Sequence, residues 1–311
     1  MINKEKNFVS AVVYVHNDQD KIEYFLQSLI RTLEDNFEHS EIICVNDFSS
    51  DNSASLIKQI SKDVKCTTVS LINMSYYHGL EMAMNAGTDL SIGDFVFEFD
   101  SVVIDYSKNQ IMDVYRHALE GFDIVTASPV KRQKLLNKIF YNIIKNSINA
   151  KHKITTERFR ILSRRVINRI STMNKTVPYR KAIYYNCGLK TDTLYYKPIE
   201  KVNASKKKDN KYKRKLATES LIIFTDIGFK CSLFFTIIMM ICAILMISYI
   251  IVVNIVGTPI EGWTTITLFL SLGFFALFFL LSIVIRYLQV IVELIFKRKQ
   301  YSVESIEKLT K

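Results

Sequence analysis

The stretch EIICVNDFSSDNSASLI, residues 41–57, contains three kinds of sequence in immediate succession. Glu41–Val45 is short, apolar and β-branched, as a buried strand should be. Asn46-Asp47 ends it with two polar side chains. Phe48-Ser-Ser-Asp-Asn-Ser53 is a turn and helix-start signal, and Leu56, Ile57 and Ile60 continue at helical spacing. A strand that stops at an acid and turns directly into a helix is half of a βαβ unit.

The same arrangement recurs on both sides. Phe8–Val15 predicts a buried strand ending in the polar loop His16-Asn17-Asp18, and Ile22, Phe25, Leu26, Leu29, Ile30 and Leu33 then recur with helical period. Thr67–Ile72 predicts a third strand, and Gly79–Leu90 a helix. Gly93-Asp94 introduces a fourth strand, Phe95–Phe99, which stops at Asp100. Residues 109–119 predict a further helix and Asp123–Ala127 a further strand. Strands and helices alternating at this spacing predict an α/β, Rossmann-like domain with a mainly parallel sheet. Ligands of such sheets bind beyond the carboxyl ends of the strands. Asp18, Asp47 and Asp100 all fall there, so they are the first candidate site residues.

The C-terminal third is different. Residues 231–256 and 264–285 contain no charged side chain, and only GTPIEGW, residues 257–263, separates them. Each run exceeds the roughly 20 residues that span about 30 Å of hydrocarbon. A two-helix transmembrane hairpin is expected, with Tyr249 and Trp263 as interfacial aromatics. The segment before the first span is rich in lysine, with Lys201, Lys206, Lys207, Lys208, Lys211, Lys213, Arg214, Lys215 and Lys230. Arg286, Lys297, Arg298 and Lys299 follow the second span, and the turn holds Glu261 alone. Positive residues remain on the cytoplasmic side, so both termini are expected in the cytosol.

The formal charge of the 311-residue chain is +11, with much of the excess beside the spans. That placement suits anionic headgroups or a lipid phosphate. Nucleic acid is not an expected partner, because no aromatic-interleaved basic motif or nucleic-acid fold is present. Residues 131–148 place Leu135, Leu136, Ile139, Phe140, Ile143 and Ile144 on one side and Lys131, Arg132, Lys134, Lys138 and Lys145 on the rest. This pattern suits a helix on a membrane surface and equally one packed on its own domain. Cys44, Cys66, Cys187, Cys231 and Cys242 have no metal-ligand spacing and read as reduced thiols. The first residues, MINKEKN, lack an apolar core of signal-peptide length, so no secretory leader is expected.

Several of these segments together resemble the family-2 glycosyltransferases of GT-A fold. VNDFSSDNS, residues 45–53, resembles their VDDGSxDxS signature, and Asn17-Asp18 their Asn-Glu pair. YHGLEMAMNAG, residues 77–87, resembles the loop and helix before their metal strand, and GDFVFEFD, residues 93–100, that strand itself. FRILSRRV, residues 159–166, is similar to the FRLLxRxV segment of the polyisoprenyl-phosphate glycosyltransferases. Residues 257–264 and Tyr301-Ser-Val-Glu-Ser305 resemble the turn and tail of that subgroup. The resemblance implies transfer of a sugar from a nucleotide-sugar donor to polyprenyl phosphate at the cytosolic leaflet of the inner (cytoplasmic) membrane, serving cell-envelope glycans. It also implies a divalent cation, Mg²⁺ or Mn²⁺, and a homo-oligomer. By the same resemblance Asp47 would contact the nucleoside with Asp18 in support, Asp100 would be the first metal acid, and Arg160 would sit near phosphates. Lys131 and Arg132 are candidate lipid-phosphate contacts by charge alone.

The pattern departs from the family at its metal motif. Where the family reads roughly Asp-Ala-Asp-Leu-Gln-Asp, this chain reads DSVVID, residues 100–105. Val102 replaces the second acid and Ile104 the glutamine, and neither supplies an oxygen ligand. Asp105 matches the third acid, Tyr14 replaces a proline, His16 a tyrosine, and Arg158 an acid. Three readings follow. Asp100 could hold a metal with the donor diphosphate and water; Glu98 could join it as a Glu-x-Asp pair on one strand face; or the chemistry is lost and the chain is a scaffold. Two other functions stay open besides polyprenyl-phosphate transfer. One is extension of a lipid-linked glycan, with Asp105 as base; the other is a non-catalytic membrane scaffold. The expected organisation is a GT-A domain at 1–200, a basic juxtamembrane segment at 201–230, spans at 231–256 and 264–285, and a cytosolic tail at 286–311.

Overall fold

A computed structural model describes residues 4–130, 157–172, 180–199, 227–257, 262–295 and 301–310. The chain divides into two compact units, Met1–Ala217 with Lys297–Lys311, and Thr218–Phe296.

The first unit begins with the expected alternation: β1 (Val9–Val15), α1 (Gln19–Asn36), β2 (Ser40–Asn46), α2 (Ser53–Ile60), β3 (Thr68–Met74), α3 (Leu80–Leu90), β4 (Phe95–Phe99), α4 (Gln110–Leu119) and β5 (Ile124–Pro129). It continues with β6 (Phe159–Ser163), α5 (Arg164–Thr172), α6 (Arg180–Asn186) and β7 (Thr191–Tyr196). After the second unit, which holds α7 (Ile227–Val256) and α8 (Trp263–Ile295), comes β8 (Val303–Lys308). One eight-stranded sheet has the order β7-β5-β6-β4-β1-β2-β3-β8. β1 pairs in parallel with both β2 and β4, and β2 with β3. β6 runs antiparallel between β4 and β5, and β8 runs antiparallel along β3. The expected mainly parallel α/β sheet is therefore present, with two antiparallel insertions that the sequence reading did not place.

Alternation within strands decides which face each side chain takes. Val9, Ala11, Val13 and Val15 pack with Phe25, Leu26, Leu29 and Leu33 of α1 and with α4 in the main core. Val12, Val45 and Val96 face α3 on the other side. Gly87 permits that approach: a Cβ there would lie 2.4 Å from Val12 Cγ1 and 2.7 Å from Val45 Cγ2. Further along the same face, Ile124 and Leu162 pack with Val166 of α5 and Tyr184 of α6.

β8 modifies the expectation of a simple cytosolic tail after the second span. Its N-terminal end meets the carboxyl end of β3, Val303 opposite Met74. Lys58 pairs with Glu307 at 2.7 Å, and Tyr301 Oη donates to Asp89.

In the second unit, α7 and α8 each contain a stretch long and apolar enough to cross a membrane, Lys230–Val253 and Thr265–Val292. Their outward side chains are uncovered, Phe269 at 77% and Ile255 at 78% exposure. Ser232, Thr236 and Ser282 form a hydroxyl cluster between the helices, with Ser232 Oγ and Ser282 Oγ 2.7 Å apart. Tyr249 and Trp263 meet edge to face near the turn. Small hydroxylated residues are common adhesives between helices in lipid.

Candidate active site

The topology brings the carboxyl ends of β1, β2, β3 and β4 to one edge of the sheet, with Asp18, Asp47 and Asp100 just beyond them. Because β6 and β8 run the other way, their N-terminal ends reach the same edge. Glu98 pairs directly with Arg160, and Phe99 with Phe159. Two differently built regions result.

The first lies over β1, β2 and β3. Asn17 and Phe48 both take positive φ, 54° each, a conformation that costs a non-glycine side chain and marks a tightly specified loop. Asn17 Oδ1 accepts from the Ser50 N–H at 2.8 Å, and the Asn17 N–H donates to Ser49 Oγ. The Gln19 N–H donates to Asp51 Oδ2 at 3.0 Å. Asp18 precedes α1 and accepts the His16 N–H at 3.3 Å, and burial raises its carboxyl pKa. Asp47 is fully buried. Its Oδ1 accepts the His78 N–H at 2.8 Å, and its Oδ2 accepts the Gly79 N–H at 2.8 Å and the Tyr14 hydroxyl at 3.0 Å. Gly79 can present its N–H this way because it sits at φ 85°, ψ 164°, a region open to glycine. Asp47 thus holds the 78–79 turn, with both carboxylate oxygens accepting from protein donors. His78 in turn accepts the Ser302 N–H on Nε2 at 3.0 Å, tying β8 to the same turn. His16 and His78 both donate from Nδ1 to main-chain carbonyls, of Asp47 and Tyr76.

The second region, over β4 and β6, is a lattice of buried charge. Glu98 is fully buried. It accepts from Arg160 Nη1 and Arg180 Nη1 at 2.8 Å each, from the Tyr184 hydroxyl at 2.7 Å and from the Thr88 hydroxyl at 3.0 Å. Arg160 Nη2 continues to Asp100 Oδ2 at 2.6 Å and its Nε to Glu157 at 2.9 Å. Arg180 Nη2 takes the other Asp100 oxygen at 2.9 Å, and its Nε donates to Glu81 at 3.0 Å. Burial alone would raise the Asp100 carboxyl, but Arg160, Arg180 and Lys181 together hold its pKa down to about 2. Asp100 is the most exposed of the acids and arginines in this lattice, its side chain at 14%. Beside it, Asp105 is bound by Arg158 at 2.9 and 2.5 Å and by the Tyr196 hydroxyl at 2.7 Å.

The sequence expectations fare unequally here. Asp18, Asp47 and Asp100 share one edge as anticipated. Arg160 is also at this edge, but its guanidinium is buried and committed to three carboxylates. Asp105 is buried against a guanidinium, an unsuitable setting for a base. Lys131 and Arg132, with the amphipathic stretch around them, lie outside the described residues, as does most of the basic 201–230 segment. Arg180, Glu81 and Glu157 were not anticipated, and Arg158 was read only as a departure from the family pattern. One signal could have found a partner for Glu98: an acid inside the strand FVFEF must meet a cation or lose its charge.

The donor set does not fit the metal site that the resemblance implies. Val102, at the position of the second acid, is 2% exposed and packs in the main core, so this position points away from the cleft. Glu98 shares the strand face and the arginines of Asp100, but it is sealed beneath them. Both Asp100 oxygens already accept from guanidinium groups. A cation binding there would have to share those oxygens with two arginines or displace their hydrogen bonds. Among the described residues no group of three or more His, Cys, Asp or Glu side chains could hold a metal ion.

Residues 10–177, more than half of the chain, match the family described as Glycosyl transferase family 2. The protein belongs to that family. Among curated relatives, an uncharacterized glycosyltransferase of Synechocystis sp. is 29% identical over 185 residues, which is 57% of this chain and 56% of that protein. The match thus spans little more than half of that relative's length. A prophage bactoprenol glucosyl transferase homolog of Escherichia coli K12 is 27% identical over 70% of this chain and 72% of its own. The bactoprenol glucosyl transferase of Shigella phage SfV is 25% identical over 83% of this chain and 85% of its own. Among solved structures, a mannosyltransferase from Pyrobaculum calidifontis in complex with GDP-Man and Mn²⁺ is 18% identical, covering 64% of this chain and 59% of that one at a TM-score of 0.47.

Proposed function

We propose that this protein is a membrane-anchored glycosyltransferase that moves a sugar from a nucleotide-sugar donor to polyprenyl phosphate at the cytosolic leaflet. The observation that carries this reading is the similarity to the bactoprenol glucosyl transferase of phage SfV over 83% of the chain. A match that long cannot avoid the first apolar helix, so it joins the catalytic unit to its anchor. The two membrane-length helices agree with an acceptor that resides in the bilayer. With both ends of the hairpin leading to the first unit, the catalytic domain and the C-terminal strand share one side of the membrane, the cytosolic one by the basic flanks.

In this reading the donor lies along the carboxyl edge of β1–β4, its nucleoside over the Asp18 and Asp47 loops. Asp100, the most exposed acid of the charge lattice, offers its remaining lone pairs to hydroxyls of the sugar. An oxygen of the lipid phosphate attacks the anomeric carbon as the bond to the nucleoside diphosphate breaks, with inversion. That oxygen is already ionised, so the step needs no general base, in keeping with an Asp105 enclosed by Arg158 and Tyr196. Lys131 and Arg132 are the proposed contacts of the lipid phosphate.

The test is a donor screen in membranes containing polyprenyl phosphate, scoring radiolabelled sugar in the lipid fraction with Mn²⁺, Mg²⁺ or EDTA. Lipid labelling lost in Asp100→Asn is the expected result. Labelling of a pre-formed lipid-linked glycan instead would replace polyprenyl phosphate as the acceptor, and no labelling by folded protein with any common donor would overturn the reading.

A further inference from the structure

The charge lattice makes a statement about the reaction that the family resemblance does not. Four carboxylates, Glu81, Glu98, Asp100 and Glu157, surround the two guanidinium groups of Arg160 and Arg180, with N···O contacts of 2.6 to 3.0 Å. Lys181 stands 4.0 Å from Glu157. Each Asp100 oxygen faces one arginine, so two positive charges occupy the side from which an acid would grip a cation. The alternative ligands are spent in three independent ways. Val102 is turned into the core, Glu98 is sealed below the arginines, and Asp105 is bound by Arg158, which stands where the family has an acid.

We infer that this is a metal-free apex, in which Arg160 and Arg180 hold Asp100 in place of a divalent cation, and that a nucleoside diphosphate enters the cleft without one. Two departures from the family pattern and one set of contacts fit together. Val102 in place of the second acid removes a ligand, Arg158 in place of an acid neutralises Asp105, and Arg160 and Arg180 each donate to Asp100. A site that had merely lost an acid would leave Asp100 and Asp105 as unpaired carboxylates. Here Asp105 is paired with Arg158, and Asp100 accepts from both arginines of the lattice. The inference rests on the proposed reading that the cleft accepts a nucleotide sugar.

The experiment uses the full-length protein in lipid nanodiscs. Mn²⁺ is titrated and followed by electron paramagnetic resonance, alone and with UDP or GDP. Binding of the same nucleotides is measured with Mn²⁺ and with EDTA. The expected result is no stoichiometric Mn²⁺ at the apex and nucleotide affinities equal within about twofold in the two conditions, whereas a tenfold gain with Mn²⁺ overturns the inference. Stoichiometric Mn²⁺ that is released by Asp100→Asn also overturns it, and Mn²⁺ retained equally by that variant lies elsewhere and leaves it standing. Should Asp100→Asn fail to fold, Fe²⁺-directed radical cleavage of the wild type locates any bound ion. Cuts beside residue 100 refute the inference, and cuts elsewhere or none support it. If neither nucleotide binds in either condition, the proposed function fails for those donors while the Mn²⁺ signal still decides this point.

Discussion

Asp47 and Asp100 end two strands that flank the same central strand, β1, yet they are stabilised by opposite means. Asp47 is buried and satisfied by neutral donors, two main-chain N–H groups and a tyrosine hydroxyl. Asp100 is partly exposed and satisfied by two guanidinium groups that lie 60 and 80 residues further along the chain. The first arrangement fixes a turn. The second fixes the relative positions of β4, β6 and α6, because one pair of arginines is shared among acids from all parts of the lattice. Identical residue types at equivalent strand ends therefore perform different work, and the partners decide which.

The comparison can be broken most forcefully at Glu98, where both arginines converge. Removing one partner of a buried ion pair costs about 3–5 kcal/mol, because the remaining charge is left uncompensated. Glu98→Ala should lose that order of stability in chemical unfolding of the purified protein. A loss below about 1 kcal/mol, typical of an exposed pair, would mean that the lattice is not the brace described above.

Acid should loosen the charge lattice next. The Asp100 pKa is depressed from 3.8 to about 2. A depressed carboxyl stabilises the fold above its ordinary pKa, and this contribution is lost as pH falls from about 4 through 2. Its size is on the order of 2 kcal/mol. Unfolding measured across that window should fall more steeply for the wild type than for Asp100→Asn. Parallel curves would show that the arginines do not act on this carboxyl.

Asp47→Asn should have the smallest global effect, about 1–2 kcal/mol, because the amide keeps one acceptor but turns a donor toward other donors. Its signature should be local. Hydrogen exchange at the His78 and Gly79 amides should accelerate while the amides of β4 stay protected. Acceleration spread through β4 would erase the distinction between a turn clamp and a brace.

The same division explains what could be read from sequence. β1 to β5 were legible because their side chains alternate or run apolar over five or more residues, with a turn signal at each end. β6 was not assigned as a strand because Arg160 sits inside it, and the charge becomes tolerable only with Glu98 directly opposite. β8 was missed because VESIEK has just two apolar side chains, and its extended form comes from pairing with the edge of β3. In the site, the acids at strand ends were legible from topology alone. Arg180 was not, since neither its spacing nor its neighbours indicate that it pairs with Glu98. Asp105 and Arg158 looked like separate departures from a motif, and only their bidentate contact makes them one change.

The C-terminal strand has a consequence for how the chain is made. β3 pairs with β2 early in synthesis, but its other edge waits for residues 303–308, which emerge only after both apolar helices. Until then an open strand edge, a template for pairing with other chains, stays uncovered. Completion of the sheet therefore waits until both apolar helices have been synthesised. A chain truncated just after the second helix would leave that edge of β3 bare, so the strand beyond the helices also guards the sheet against pairing with other copies.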